Sequence, residues 1–127
     1  WGNWMQSAPF AGETGGCCIS ASIRDYARLG IFVKKGAVNA TGESLVPEGW
    51  MKEATSPSKG YAGYGYKWWL EGDGAYAASG IFGQGIYIDP QRDVVISLHS
   101  NAPAAVDTNY HAHADAVIKA IAASFDR

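Results

Sequence analysis

The stretch GIYIDPQRDVVISL, residues 85–98, constrains the fold more than any other part of this sequence. Apolar side chains alternate up to Ile88, Asp89-Pro90 interrupts them, and an apolar run resumes at Val94. Alternation at period two places every second side chain on one face of a strand. Pro90, Gln91 and Arg92 supply turn chemistry between the two runs. Upstream, YGYKWWL at 64–70 is aromatic and β-prone, and AYAASGIFG at 75–83 is small and apolar. Four strands are therefore expected, the last three antiparallel. After them, Ala114, Val117, Ile118, Ile121, Ala122 and Phe125 share one face of a helix that Asp107 or Thr108 can cap. Before them, SASIRDYARLGIFVKKG predicts a helix over 21–35, capped by Ser20 or Ser22, with Lys34 and Lys35 at its negative end and Gly36 as its stop. A second, short helix is expected over 47–55, with Pro47 at its first position and Pro57 beyond its end. Residues 1–16 read as loop. The class is α+β: an antiparallel sheet with flanking helices, the last packed on the sheet. Such a sheet leaves an edge, and an exposed edge invites pairing, so a further segment, a homodimer or a strand swap is expected there.

Bulk properties exclude several partners. The chain has 127 residues, with 10 basic and 12 acidic side chains and a net charge of −2. No basic stripe suggests nucleic acid. No apolar run approaches the roughly 18–20 residues of a membrane span. The first residue is Trp1, which leads us to expect a partial domain of a larger protein. Cys17 and Cys18 are adjacent; neighbours make a strained disulfide, so two free thiols are expected, and two cysteines do not make a metal site.

A nucleophile is hard to find. Ser56 to Lys59 spells S-x-x-K, but Pro57 follows the serine, Gly60 follows the lysine, and no apolar helix continues. Ser79 has Ala77 where a nucleophile elbow needs glycine. His111 and Asp115 lie one helical turn apart, but His113 points elsewhere, so no metal site is expected. His99 reads as a partly buried structural histidine inside the last strand. Asp25 and Arg24 suit capping or ion pairing at a helix start. Glu13, Glu71, Asp73 and Asp89 are scattered, with no general acid/base spacing. No cofactor motif is present.

Four motifs in series carry a resemblance: GGCCISASIRDYARLGIF, LVPEGWMKEAT, YGYKWWL and GIFGQGIYIDPQRDVVISL. Together they resemble the C-terminal part of β-lactamase-related serine hydrolases, including class C β-lactamases, related esterases and 6-aminohexanoate-dimer hydrolase-like enzymes. The resemblance implies the β-lactamase/transpeptidase-like fold. It also implies a serine hydrolase that cleaves amide or ester bonds through an acyl-serine. The family's nucleophilic serine, its lysine and its second-motif tyrosine lie upstream of the matched region, so this chain alone is expected to be inactive. GIFGQ takes the position of the family's third motif, on a strand that walls the active site. Ile81 and Phe82 then stand for its lysine and threonine, and Gly83 for its glycine. The Gln84 backbone N–H is implied to serve the oxyanion hole. Ile81 and Phe82 cannot pair with a substrate carboxylate, which points to a neutral or differently charged small-molecule amide or ester. Tyr66, Trp68, Tyr76 and Phe82 are expected as pocket walls. Placing residue 83 on that wall, outside the core, predicts that its substitution harms activity and spares the fold. The alternative is a noncatalytic binding module of the same fold. The compartment stays open between bacterial periplasm and cytoplasm.

Overall fold

The computed structural model describes residues 19–126. Helix α1 spans Ile23–Lys34. Ser22 caps it: its Oγ accepts the Asp25 N–H at 3.2 Å and its hydroxyl donates to the Asp25 carboxylate at 2.7 Å. Of the two expected caps, Ser22 is the one used, because its extended backbone turns the oxygen toward the free N–H groups. Arg28 donates to the other Asp25 oxygen at 2.7 Å. The Ser22 hydrogen bond first, and Arg28 second, hold the Asp25 carboxyl below its ordinary range. Asp25 thus has the capping and pairing role expected of it, with Arg28 as partner.

Helix α2 is short, Trp50–Ala54, and starts three residues after Pro47. Its N-cap is Gly49 in the left-handed conformation. Pro47 therefore does not take the first helical position. Gly49 at φ +77° reverses the chain after it and sets the start later.

Four strands follow: β1 Trp69–Gly72, β2 Ala75–Ser79, β3 Gly85–Asp89 and β4 Val94–Leu98. They form one antiparallel sheet in the order β1-β2-β3-β4. The expected β-hairpin at 85–98 is present, with Gly85 opposite Leu98 and Asp89 opposite Val94. Its turn is closed by Asp89, which is 1% exposed. One Asp89 oxygen accepts the N–H groups of Gln91 and Arg92, both at 3.0 Å, and the other accepts the Arg92 guanidinium at 2.8 Å. Burial opposes the Asp89 charge, but the Arg92 hydrogen bonds overcome it and hold the carboxyl below the usual range.

Each face of the sheet is covered. Tyr76, Ile86 and Ile88 face α1 and pack with Tyr26, Val33, Trp68, Leu70 and Val95. Contact is close because Gly30 presents bare backbone; a Cβ there would stand 2.5 Å from Val95 Cγ1 and 2.8 Å from Ile86 Cγ2. On the opposite face Ala75 and Tyr87 meet Ala122 and Ile118 of helix α3, Thr108–Ala123. Asp107 caps α3 by accepting the Tyr110 N–H at 2.9 Å. The apolar face expected of α3 is only half used. Ile118 and Ala122 form a seam one turn apart that meets the sheet, whereas Val117, Ile121 and Phe125 lie on the adjacent ridge and are exposed.

Candidate functional site

Two hairpin loops at one end of β1 and β2 border an open cleft of about 560 Å³. The first lies upstream of β1. Tyr64 pairs with Trp69, and the Gly65 N–H donates to the Trp68 carbonyl at 2.8 Å, leaving Tyr66 and Lys67 as the loop. The continuous strand expected over 64–70 is therefore a tight turn followed by a strand. Lys67 accomplishes the reversal with φ +69°. The turn also explains which aromatics reach the cleft. Tyr64 and Trp69 stack edge-to-face across the hairpin at 4.7 Å, and both line the cleft.

The second loop joins β2 to β3. The Gly80 N–H donates to the Gln84 carbonyl at 2.7 Å, and the Gly83 N–H to the Gly80 carbonyl at 2.9 Å. Ile81, Phe82 and Gly83 form a three-residue hairpin loop, with Gly83 left-handed at φ +83°. GIFGQ is thus the turn at the end of a wall strand, not the strand itself. The strand residues beside the cleft are Ala78 and Ser79, followed by Gly80. The Gln84 side chain folds back, its Oε1 accepting the Phe82 N–H at 3.1 Å, and it covers Gly80 so closely that a Cβ there would stand 2.4 Å from Gln84 Cδ. Outside the turn, the Ala102 N–H donates to the Phe82 carbonyl at 3.0 Å and the Val106 N–H to the Ile81 carbonyl at 2.7 Å. Among the described residues, two N–H groups of the turn take no hydrogen bond: those of Ile81 and Gln84.

Gly83 overturns one expectation. It is buried, and a Cβ would stand 2.7 Å from the Tyr110 ring and 2.9 Å from Ser100 Oγ. Those two residues are themselves joined by a 2.7 Å hydrogen bond. Residue 83 belongs to the packing of the turn against α3, so the prediction that its substitution spares the fold is corrected.

The other anticipated site residues separate. Tyr76 is 7% exposed in the α1-side core, because alternation on β2 points it there, and Trp68 stacks on it at 5.2 Å. Tyr66 is exposed and lies against Trp50 at 5.7 Å. Ile81 and Phe82 are exposed at the tip of the turn. Among the described residues, the aromatic walls of the cleft are Tyr26, Tyr64 and Trp69. His99 also differs from expectation: it lies just past β4, is exposed, and meets the Tyr26 ring edge-on at 5.1 Å. Lys67 had no individual signal, since a hairpin inside YGYKWW cannot be told from a strand by alternation alone.

Ser56 closes α2 by donating to the Lys52 carbonyl at 2.6 Å, which is a helix end and not the helix start that a nucleophile needs. His113 Nδ1 lies 2.9 Å from the Asn109 carbonyl. Among the described residues no three His, Cys, Asp or Glu side chains group as metal ligands, and no helix is long and apolar enough to cross a membrane. Cys17, Cys18 and the Gly-Gly motif lie outside the described residues.

Residues 2–120 match the family model described as Beta-lactamase. The chain belongs to the beta-lactamase family, and with it to the β-lactamase-related serine hydrolases. Its sheet and helices agree with the α+β fold of that group. It is similar to the 6-aminohexanoate-dimer hydrolase of Paenarthrobacter ureafaciens, with 26% identity over 123 residues, covering 85% of this chain and 31% of that protein. The chain thus spans about a third of the length of that curated relative.

Proposed function

We propose that this chain forms the sheet wall of a serine hydrolase that opens amide or ester bonds through an acyl-serine. The observation that carries the proposal is the 80–84 turn. Its Gly80 and Gln84 line the cleft of a beta-lactamase family sheet, and among the described residues the Ile81 and Gln84 N–H groups have no acceptor. A serine oxygen attacking a carbonyl leaves negative charge on the carbonyl oxygen. Fixed N–H groups stabilise that charge without reorganising, and each is worth about 10²–10³ in rate. The Gln84 N–H is the donor expected from sequence, and the Ile81 N–H is its neighbour on the same turn. The nucleophilic serine, its lysine and the tyrosine belong to parts of the protein outside these 127 residues. A linear amide suits the cleft: Tyr64 and Trp69 offer flat apolar surface, and the similar protein is named for an amide dimer.

The same reading assigns a partner to the sheet. β4 is one of the two edges of the described sheet, and Val117 and Ile121, which border a groove with Ile96 and Leu98 of β4, are exposed. Further chain of the same protein covers this side, and the 127-residue chain on its own self-associates instead.

A fluorophosphonate probe tests the hydrolase reading. The protein expressed from its complete reading frame should take up one covalent label, on a serine outside this chain, and lose turnover of p-nitrophenyl esters in step with labelling. The 127-residue chain should take up none. No label on the complete protein, together with no turnover, would leave the noncatalytic binding module as the better account.

A further inference from the structure

We propose that Lys67 anchors a carboxylate on the substrate. This rests on the hydrolase reading and adds a substrate class to it: linear amides or esters with an anionic end.

Three observations converge. The first is the charge of the cleft. Twelve acidic residues give the chain a net negative charge, yet among the described residues no Asp or Glu lines the 560 Å³ cleft, and Lys67 does. The polar side chains around it, Ser20, Ser79, Ser100, Gln84 and His99, carry no fixed negative charge. Such a cleft favours an anion. The second is that the lysine is uncommitted. Lys34 pairs with Asp93, and Lys119 pairs with Asp115 and Glu71. Lys67, among the described residues, makes no ion pair and no side-chain hydrogen bond.

The third is its backbone. The loop position with φ +69° suits glycine, and a side chain there is strained. Ala37, Asp73, Asp93 and Val106 also have positive φ; aspartate tolerates that region, and of the five only Lys67 lines this cleft. Strain of this kind at a cleft is a pointer to function. Here the strained position sets an ammonium group on the rim, two residues from Trp69. The tryptophan offers its face to the aliphatic part of a ligand while the lysine meets the carboxylate. Ile81 and Phe82 at the opposite turn have no charge to offer an acid group, so recognition moves from one hairpin loop to the other.

Calorimetric titration tests this without requiring turnover. The probes are 6-acetamidohexanoate and its methyl ester, which share an amide and a chain and differ in charge. On the protein from its complete reading frame, the acid should bind roughly ten-fold more tightly than the ester, as a charge-assisted contact implies. Lys67→Gly should erase that difference, leave the ester's affinity alone, and keep the melting temperature level or raise it by a few degrees, because glycine relieves the turn. Lys67→Arg should retain the preference. Equal binding of acid and ester, binding of neither, or a preference that survives Lys67→Gly would overturn the assignment. An acid preference found in a protein that labels with no fluorophosphonate would support the anchor and remove only the hydrolase reading.

Discussion

Two hairpin loops border the same cleft and solve the same backbone problem with opposite residues. The β2–β3 loop reverses through Gly83 at φ +83°, and the loop before β1 reverses through Lys67 at φ +69°. At Gly83 glycine is needed twice, for the left-handed backbone and for the Tyr110 ring that would meet any Cβ. At Lys67 the backbone would accept glycine, and a lysine stands there against that preference. The first loop is explained by packing alone. The second is not asked for by packing, and the proposed carboxylate anchor gives it a reason. A residue type that local structure does not ask for is the stronger sign of a function.

The largest test of this contrast is Gly83→Ala. Left-handed strain and overpacking against Tyr110 should together cost about 2–4 kcal/mol. Denaturant melts should show it as a lower midpoint. A variant as stable as the parent would mean that the loop is held by something other than close packing, and the contrast with Lys67 would dissolve.

A third turn supplies a calibration, since it is held by charge. Asp89→Asn keeps the shape but loses the carboxylate that Arg92 pairs with, and should cost about 2 kcal/mol at neutral pH. The Asp89 pKa is lowered in the folded state, so its contribution is present above the unfolded value of about 3.9 and is lost as pH falls through the lower folded value. The parent should therefore lose stability below about pH 4 faster than Asp89→Asn does. Parallel pH profiles would show that backbone contacts, not charge, close this turn. The smallest effect is Lys67→Gly on stability, a gain of about 1 kcal/mol or less. A clear loss there would mean that the lysine is structural.

Much of the fold was legible in the sequence. Ser22 and the spacing through α1, alternation on β3, and the Asp-Pro turn all speak at the level of local residues, and local rules suffice for them. The site was less so. Tyr76 is a good strand residue and a good pocket residue, and only the register of β2 decides which face it takes. YGYKWW carries the composition of a strand, and the turn at Tyr66–Lys67 is invisible because lysine is not a turn residue. GIFGQ reads as part of a wall strand, but the closing bonds from Gly83 to Gly80 and from Gly80 to Gln84 make it a turn. The contact of Gly83 with Tyr110 joins residues 27 positions apart, which no local pattern encodes.

The central claim is that the 80–84 turn donates N–H groups to the reacting carbonyl. Proline removes an N–H and, at Ile81, suits the first inner position of this turn. Steady-state kinetics of Ile81→Pro and Gln84→Pro, in the protein from its complete reading frame, read the claim most directly, with melting temperatures beside them. At least one of the two should lose about 10²–10³ in kcat while melting within a few degrees of the parent. Parental kcat in both variants, with the fold intact, would contradict the claim.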